Sequence, residues 1–162
     1  MHKFPISVLS TVHLFKEVAM SLEDNKALVR RFIDEVLNSG NTAAISDFCI
    51  PGSMFARGLE GQIKAFKLGF PDNHFTIDEI VAEGDKVVIH ATMHGTNTGP
   101  LVGLPALGTF ERPAPPTGIS VLWNRMYIFS VSDGKILNFT VESDQLGLLQ
   151  QLGWTFTPPS ET

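Results

Sequence analysis

Ser132-Asp133-Gly134-Lys135-Ile136, preceded by Tyr127-Ile128-Phe129 and continuing through Phe139 and Val141 to Asp144, decides the fold of this chain. Both central positions of a two-residue hairpin want positive φ, which Asp133 tolerates and Gly134 adopts freely. Two long strands therefore meet there, predicted over roughly 119–131 and 135–143 from their alternating apolar residues. Asp144 then opens a short Leu/Gln helix that stops at Gly153. A carboxylate at that point caps free helix N–H groups, and glycine supplies the left-handed stop.

Upstream, Phe75, Ile77 and Val81 alternate with Thr76 and Asp78 before a Glu83-Gly84-Asp85 turn, and about 86–96 forms the next strand. Three helices precede these strands. The first spans about 22–38, opened by a Ser21/Asp24 capping box and carrying Leu28, Phe32, Val36 and Leu37 at helical spacing. A short second helix runs to Phe48. The third spans about 59–70 with Leu59, Ile63, Phe66 and Phe70 on one side. Together they are expected to cover one face of the sheet. A long Gly/Pro-rich connection between Gly95 and Gly118 is either a lid or rim over a site or a disordered decoration.

The chain has 162 residues, enough for one domain with a single core. Its 12 Lys and Arg against 17 Asp and Glu give a net charge of −5, and the basic residues are scattered. A positive stripe able to displace counterions from nucleic acid is missing, so no nucleic-acid partner is expected. Cys49 is the lone cysteine, which rules out an intrachain disulfide and reads as a small buried hydrophobe. No apolar run approaches the ~18 residues of a membrane span. Phe4 to Phe15 has the length of a short signal-peptide core, but Pro5 and His13 interrupt it. Residues 1–20 are read as an extension ahead of an alternative start at Met20-Ser21, 21–157 as the domain and 158–162 as a tail. A cytoplasmic location is expected.

Four short motifs occur in one order: Glu83-Gly84-Asp85-Lys86-Val87-Val88, Gly95-Thr96-Asn97-Thr98-Gly99, Pro115-Pro116-Thr117-Gly118, and the closing segment from Ser132 to Gly153. In this order they resemble the SnoaL-like polyketide cyclases of the nuclear-transport-factor-2-like superfamily. The likeness runs from about residue 22 to 153. It implies an α+β cone with a curved, mostly antiparallel sheet and helices on its concave face, a homodimer, and cofactor-independent chemistry. The family's catalytic aspartate, three residues before the aspartate that opens the last helix, falls on Val141. The pocket histidine of relatives falls on Tyr127, and Asn97 stands where many carry histidine.

Alternation places Trp123, Arg125, Tyr127 and Phe129 on one strand face, with Phe139, Val141 and Ser143 facing the same way across the hairpin. The expected site has Tyr127, Arg125 and His90 as catalytic residues. Trp123, Phe129, Phe139, Val141, Phe32, Phe66 and His94 are its expected substrate contacts. Arg125 either reaches the rim or pairs with Glu142, Asp78 or a ligand anion, since an unpaired buried cation is costly. His90 and His94 serve either as pocket bases or as polar residues at a dimer face. At i and i+4 of a strand they lie ~13 Å apart, too far to share a metal. No metal or other cofactor is expected. The function implied is a cyclase or isomerase acting on a hydrophobic small molecule, with a non-catalytic carrier as the alternative and a dehydratase or epoxide hydrolase as a further one.

Overall fold

Ser21 opens the first described helix with a true capping box: its hydroxyl accepts from the Asp24 N–H, and its own N–H donates to the Asp24 carboxylate. The computed structural model describes residues 21–104 and 108–157. The extension assigned to 1–20 and the tail assigned to 158–162 lie outside the described residues, as do positions 105–107 of the long connection. Helix α1 spans Leu22–Phe32 and continues as one turn of π-helix over Ile33–Asn38. The single predicted helix is thus two kinds of helix. A 3-10 turn (Thr42–Ala44) leads into the short α2 (Ile45–Phe48).

Helix α3 spans Met54–Gly69, a turn longer at its start than its apolar stripe predicts. The reason is local. The Ser53 hydroxyl accepts from the Ala56 N–H at 3.1 Å, a cap that starts the helix directly after Pro51-Gly52. The added turn carries Phe55, whose ring meets Phe139 edge-on at 5.2 Å.

Four strands, β1 (His74–Glu83), β2 (Lys86–Thr96), β5 (Ser120–Ser132) and β6 (Lys135–Ser143), form an antiparallel sheet in the order β1-β2-β5-β6. Asp133 at φ 51° and Gly134 at φ 71° make the predicted positive-φ hairpin turn. Bulges interrupt β1 between Ile77 and Glu79, and the β5–β6 ladder beside Val131. Each bends its strand and adds twist, which suits a sheet that curves around its helices. The first bulge also corrects a sequence expectation. Asp78 is the extra residue, so parity reverses after it, leaving Ile80 half-buried and Val81 60% exposed.

The long connection is neither a lid over the sheet nor a structureless decoration where it is described. It folds as a two-stranded antiparallel hairpin, β3 (Leu101–Leu104) with β4 (Gly108–Ala114). Buried Leu101 seats it on Gly69 at the end of α3, and Phe110 lies 5.6 Å from Trp154. Asn97 locks its base. The Asn97 side chain donates to the carbonyls of Gly69 and Gly99 and accepts from the Thr117 N–H and hydroxyl, at 2.9 to 3.1 Å.

The core lies between the helices and one sheet face. Phe32 packs edge-on against Phe48 and Phe129 at 5.8 and 6.0 Å, and every second residue of β5 from Val121 to Val131 is buried. Helix α4 (Gln145–Gln151) closes the end. Its cap is Asp144, whose Oδ1 accepts from the Gly147 N–H at 2.8 Å.

Candidate active site

Alternation along β5 sends Trp123, Arg125, Tyr127 and Phe129 inward. Register then sets Arg125 opposite Ser143, Tyr127 opposite Val141, and Phe129 opposite Phe139. Helix α3 covers this strand pair with Leu59, Ile63 and Phe66, and β1 supplies Phe75. Between them lies a cavity of about 60 Å³ walled by these α3 and β1 residues together with Arg125, Tyr127, Phe139 and Val141; Leu37, Gln62, Lys67 and Asn73 complete it. A site that encloses a drug-sized ligand measures ~300–1,000 Å³. This cavity is too small to enclose such a ligand whole.

Two neighbouring polar groups stand in the apolar wall. Arg125 is 7% exposed and Tyr127 2% exposed, and Arg125 Nη1 donates to the Tyr127 hydroxyl oxygen at 2.9 Å. The guanidinium carbon also lies 5.2 Å from the Phe66 ring, 5.6 Å from Trp123 and 5.7 Å from Phe75. Cation–π contacts contribute ~0.5–2 kcal/mol each, against a cost of several kcal/mol for burying an ion. The aromatic cage offsets much of that cost but offers no acceptor. Arg125 Nε and Nη2, Trp123 Nε1 and Asn73 Oδ1 are buried without a hydrogen-bond partner.

The carboxylates weighed as partners for Arg125 are elsewhere. Asp78 accepts from the Thr92 hydroxyl on the outer sheet face, and Glu142 stands opposite Met126 on that same face. His90 and His94 are corrected likewise. Ile89, Ala91 and Met93 take the inward positions of β2, which turns His90 toward Asp78 (Nδ1 to Oδ2, 3.6 Å) and sets His94 against the His74 ring at 5.5 Å. Neither histidine reaches the cavity.

Among the other expected contacts, Phe66, Phe139 and Val141 line the cavity, whereas Trp123, Phe129 and Phe32 stand behind its wall. Trp123 packs on Phe66 and Phe70, and Phe129 stacks with Tyr127 at 5.7 Å. Lys67 is a lining residue that sequence reading passed over. Its signal was available, because Lys67 follows Ile63 by four residues and so shares the apolar stripe of α3. Its Nζ donates to the carbonyls of Asn38 and Asn73 at 2.9 and 3.1 Å, and burial holds its pKa below the usual lysine range against the opposing pull of Asp72. Asn38 adds to this clamp by bonding both the N–H and the carbonyl of Phe75. The start of β1 is thereby fixed against the helices at the cavity floor. Among the described residues no three His, Cys, Asp or Glu side chains converge as a metal site.

The family model of SnoaL-like polyketide cyclase matches residues 27–152. No protein of curated function matches the sequence. Among solved structures, TsrD from Streptomyces laurentii is 25% identical with a TM-score of 0.68, the alignment covering 83% of this chain and 98% of that one. A protein of Jannaschia sp. CCS1 assigned as a SnoaL-like polyketide cyclase is 23% identical with a TM-score of 0.68, covering 85% and 95%. AclR of Streptomyces galilaeus, assigned as a hydroxylase, is 22% identical with a TM-score of 0.67, covering 86% and 87%.

Proposed function

This chain belongs to the SnoaL-like polyketide cyclase family, and from that premise we propose that it is a cofactor-independent enzyme of cyclase or isomerase type, acting on a hydrophobic small molecule of polyketide or terpenoid metabolism. The observation that carries this reading is the buried Arg125–Tyr127 pair at 2.9 Å inside a mainly apolar cavity. The Tyr127 hydroxyl accepts from Arg125, so its own proton remains to be given to a ligand oxygen. Arg125 places positive charge where an enolate or alkoxide oxygen develops, and such preorganised donors act most strongly where water is excluded. Leu59, Ile63, Phe139 and Val141 pack against the carbon skeleton of the ligand end that enters the cavity.

The test is incubation with aromatic polyketide intermediates that carry a methylene flanked by carbonyls. Cyclisation or isomerisation leaves the mass unchanged and alters chromatographic retention. Tyr127→Phe and Arg125→Met are each expected to lower turnover ~10²-fold or more while the fold survives, as loss of a transition-state donor does. Full activity in both variants would place the chemistry elsewhere.

One observation favours a second reading, a carrier for an apolar ligand: among the described residues no Asp, Glu or His lines the cavity. A positioned acid or base contributes ~10²–10⁴ in rate, and valine at position 141 moves no proton. Tight binding of such intermediates without any product would decide for the carrier.

A further inference from the structure

Ring closure by a carbon nucleophile requires a proton to leave carbon, and the cavity holds no side chain suited to take it. Among the described residues its titratable and charged groups are Lys67, Arg125 and Tyr127. Lys67 uses its ammonium protons on the carbonyls of Asn38 and Asn73. The carboxylates of Asp78 and Glu142 and the imidazole of His90 belong to the opposite sheet face.

The same wall carries the converse feature. Arg125 is more than nine-tenths buried, and its one hydrogen-bond acceptor is the Tyr127 hydroxyl oxygen. Its Nε and Nη2 have none. A buried cation without an anion, with spare N–H donors and a phenol whose proton is free to donate, forms a receptor for negative oxygen. Guanidinium matches a planar, delocalised oxyanion better than a point charge does.

Taking the cyclase reading as its basis, we propose that the cavity accepts its ligand as a preformed oxyanion: the enolate of an acidic 1,3-dicarbonyl group on a hydrophobic body, with Arg125 as counter-ion and Tyr127 as second donor. The substrate itself supplies the ionisation that the wall cannot. Solvent takes the proton before or during entry, and Arg125 selects the ionised form. The small cavity fits this assignment, since it admits a head group and leaves the apolar body to the mouth. A neutral ketone without the second carbonyl is then excluded as a substrate.

Isothermal calorimetry on the full chain tests this with two probes of nearly the same shape. One is 1,3-cyclohexanedione, ionised near neutral pH, and the other is its neutral enol ether, 3-methoxycyclohex-2-enone. The enolate is expected to bind at least tenfold more tightly than the ether. In the unaltered protein, its affinity should fall with pH once the probe is protonated below its own pKa. Arg125→Gln should bring the two affinities together, while Lys64→Met, which removes an exposed cation of α3 that pairs with Glu60 and lies outside the cavity lining, keeps them apart. The proposal is overturned if the ether binds as well as the enolate, if neither binds, or if the preference survives Arg125→Gln or is lost in Lys64→Met. Should Arg125→Gln not fold, the pH profile of the unaltered protein decides alone. Turnover is not involved in this measurement, so absence of an enolate preference alongside product formation removes the substrate class and leaves the cyclase reading in place.

Discussion

Two single residues show how burial sets chemistry. Cys49 is fully buried, and burial pushes its thiol up to about 11. The thiolate is the reactive form, so Cys49 should resist iodoacetamide in the folded protein at about pH 8.5 and alkylate readily once denatured; mass spectrometry reads both. The sign of the linkage follows. A raised folded-state pKa makes the neutral thiol a stabilising feature below the unfolded value, and that contribution is lost as pH rises toward about 11. Asn97 is the opposite case, a buried polar residue with donors and acceptor all engaged. Asn97→Ala should cost about 2–3 kcal/mol in chemical denaturation, because several buried partners are left unpaired at once.

At the scale of the element, helix ends explain most of what the strands cannot. Asp144 lies three residues after Val141, where the resemblance places an acid, and its Oδ1 is bound to the Gly147 N–H at the start of α4. Cα of Gly147 is so close to that carboxylate that an added Cβ would fall on it. Asp144→Ala should therefore lower stability by ~0.5–2 kcal/mol and leave ligand affinity intact. Unchanged melting together with lost turnover would instead make Asp144 part of the chemistry. The described residues of the β3–β4 hairpin contribute no lining residue to the cavity. Its place is against the end of α3 and Trp154, where it braces the fold.

For the whole molecule, the sheet has a covered face and a bare one. Leu122, Met126 and Ile128 are 58, 48 and 43% exposed, and Val81 adds to them through the β1 bulge. Large apolar side chains exposed on one sheet face are expected to be covered by a partner, and a second copy of the same face would close into a two-fold pair. Sedimentation at micromolar concentration should show a homodimer. Met126→Glu should shift it toward monomer, because a carboxylate would be buried against its own copy. A monomer in the unaltered protein would remove this expectation. Among the described residues no helix is long and apolar enough to cross a membrane.

The turn at Asp133-Gly134, the caps at Ser21 and Asp144, the limits of β2 and β6, and the single face shared by Arg125 and Tyr127 and by Phe139 and Val141 across the hairpin were all legible in the chain. Each depends on residues within a few positions of one another, where turn chemistry and a period of two leave little choice. The π-turn at Ile33–Asn38, the bulge at Asp78 and the hairpin in the long connection were not. A bulge or hairpin is selected by its neighbours, and Pro-rich segments carry weak strand signals. The site divides in the same way. Alternation put His90 and His94 together on one face of β2 but could not say which face the helices would cover. Tertiary packing gave the inner side to Ile89, Ala91 and Met93, separated both histidines from Arg125, and brought Lys67 of α3 to the same cavity. Which polar residues share a pocket is fixed by contacts between elements far apart in sequence, and only the folded molecule holds that information.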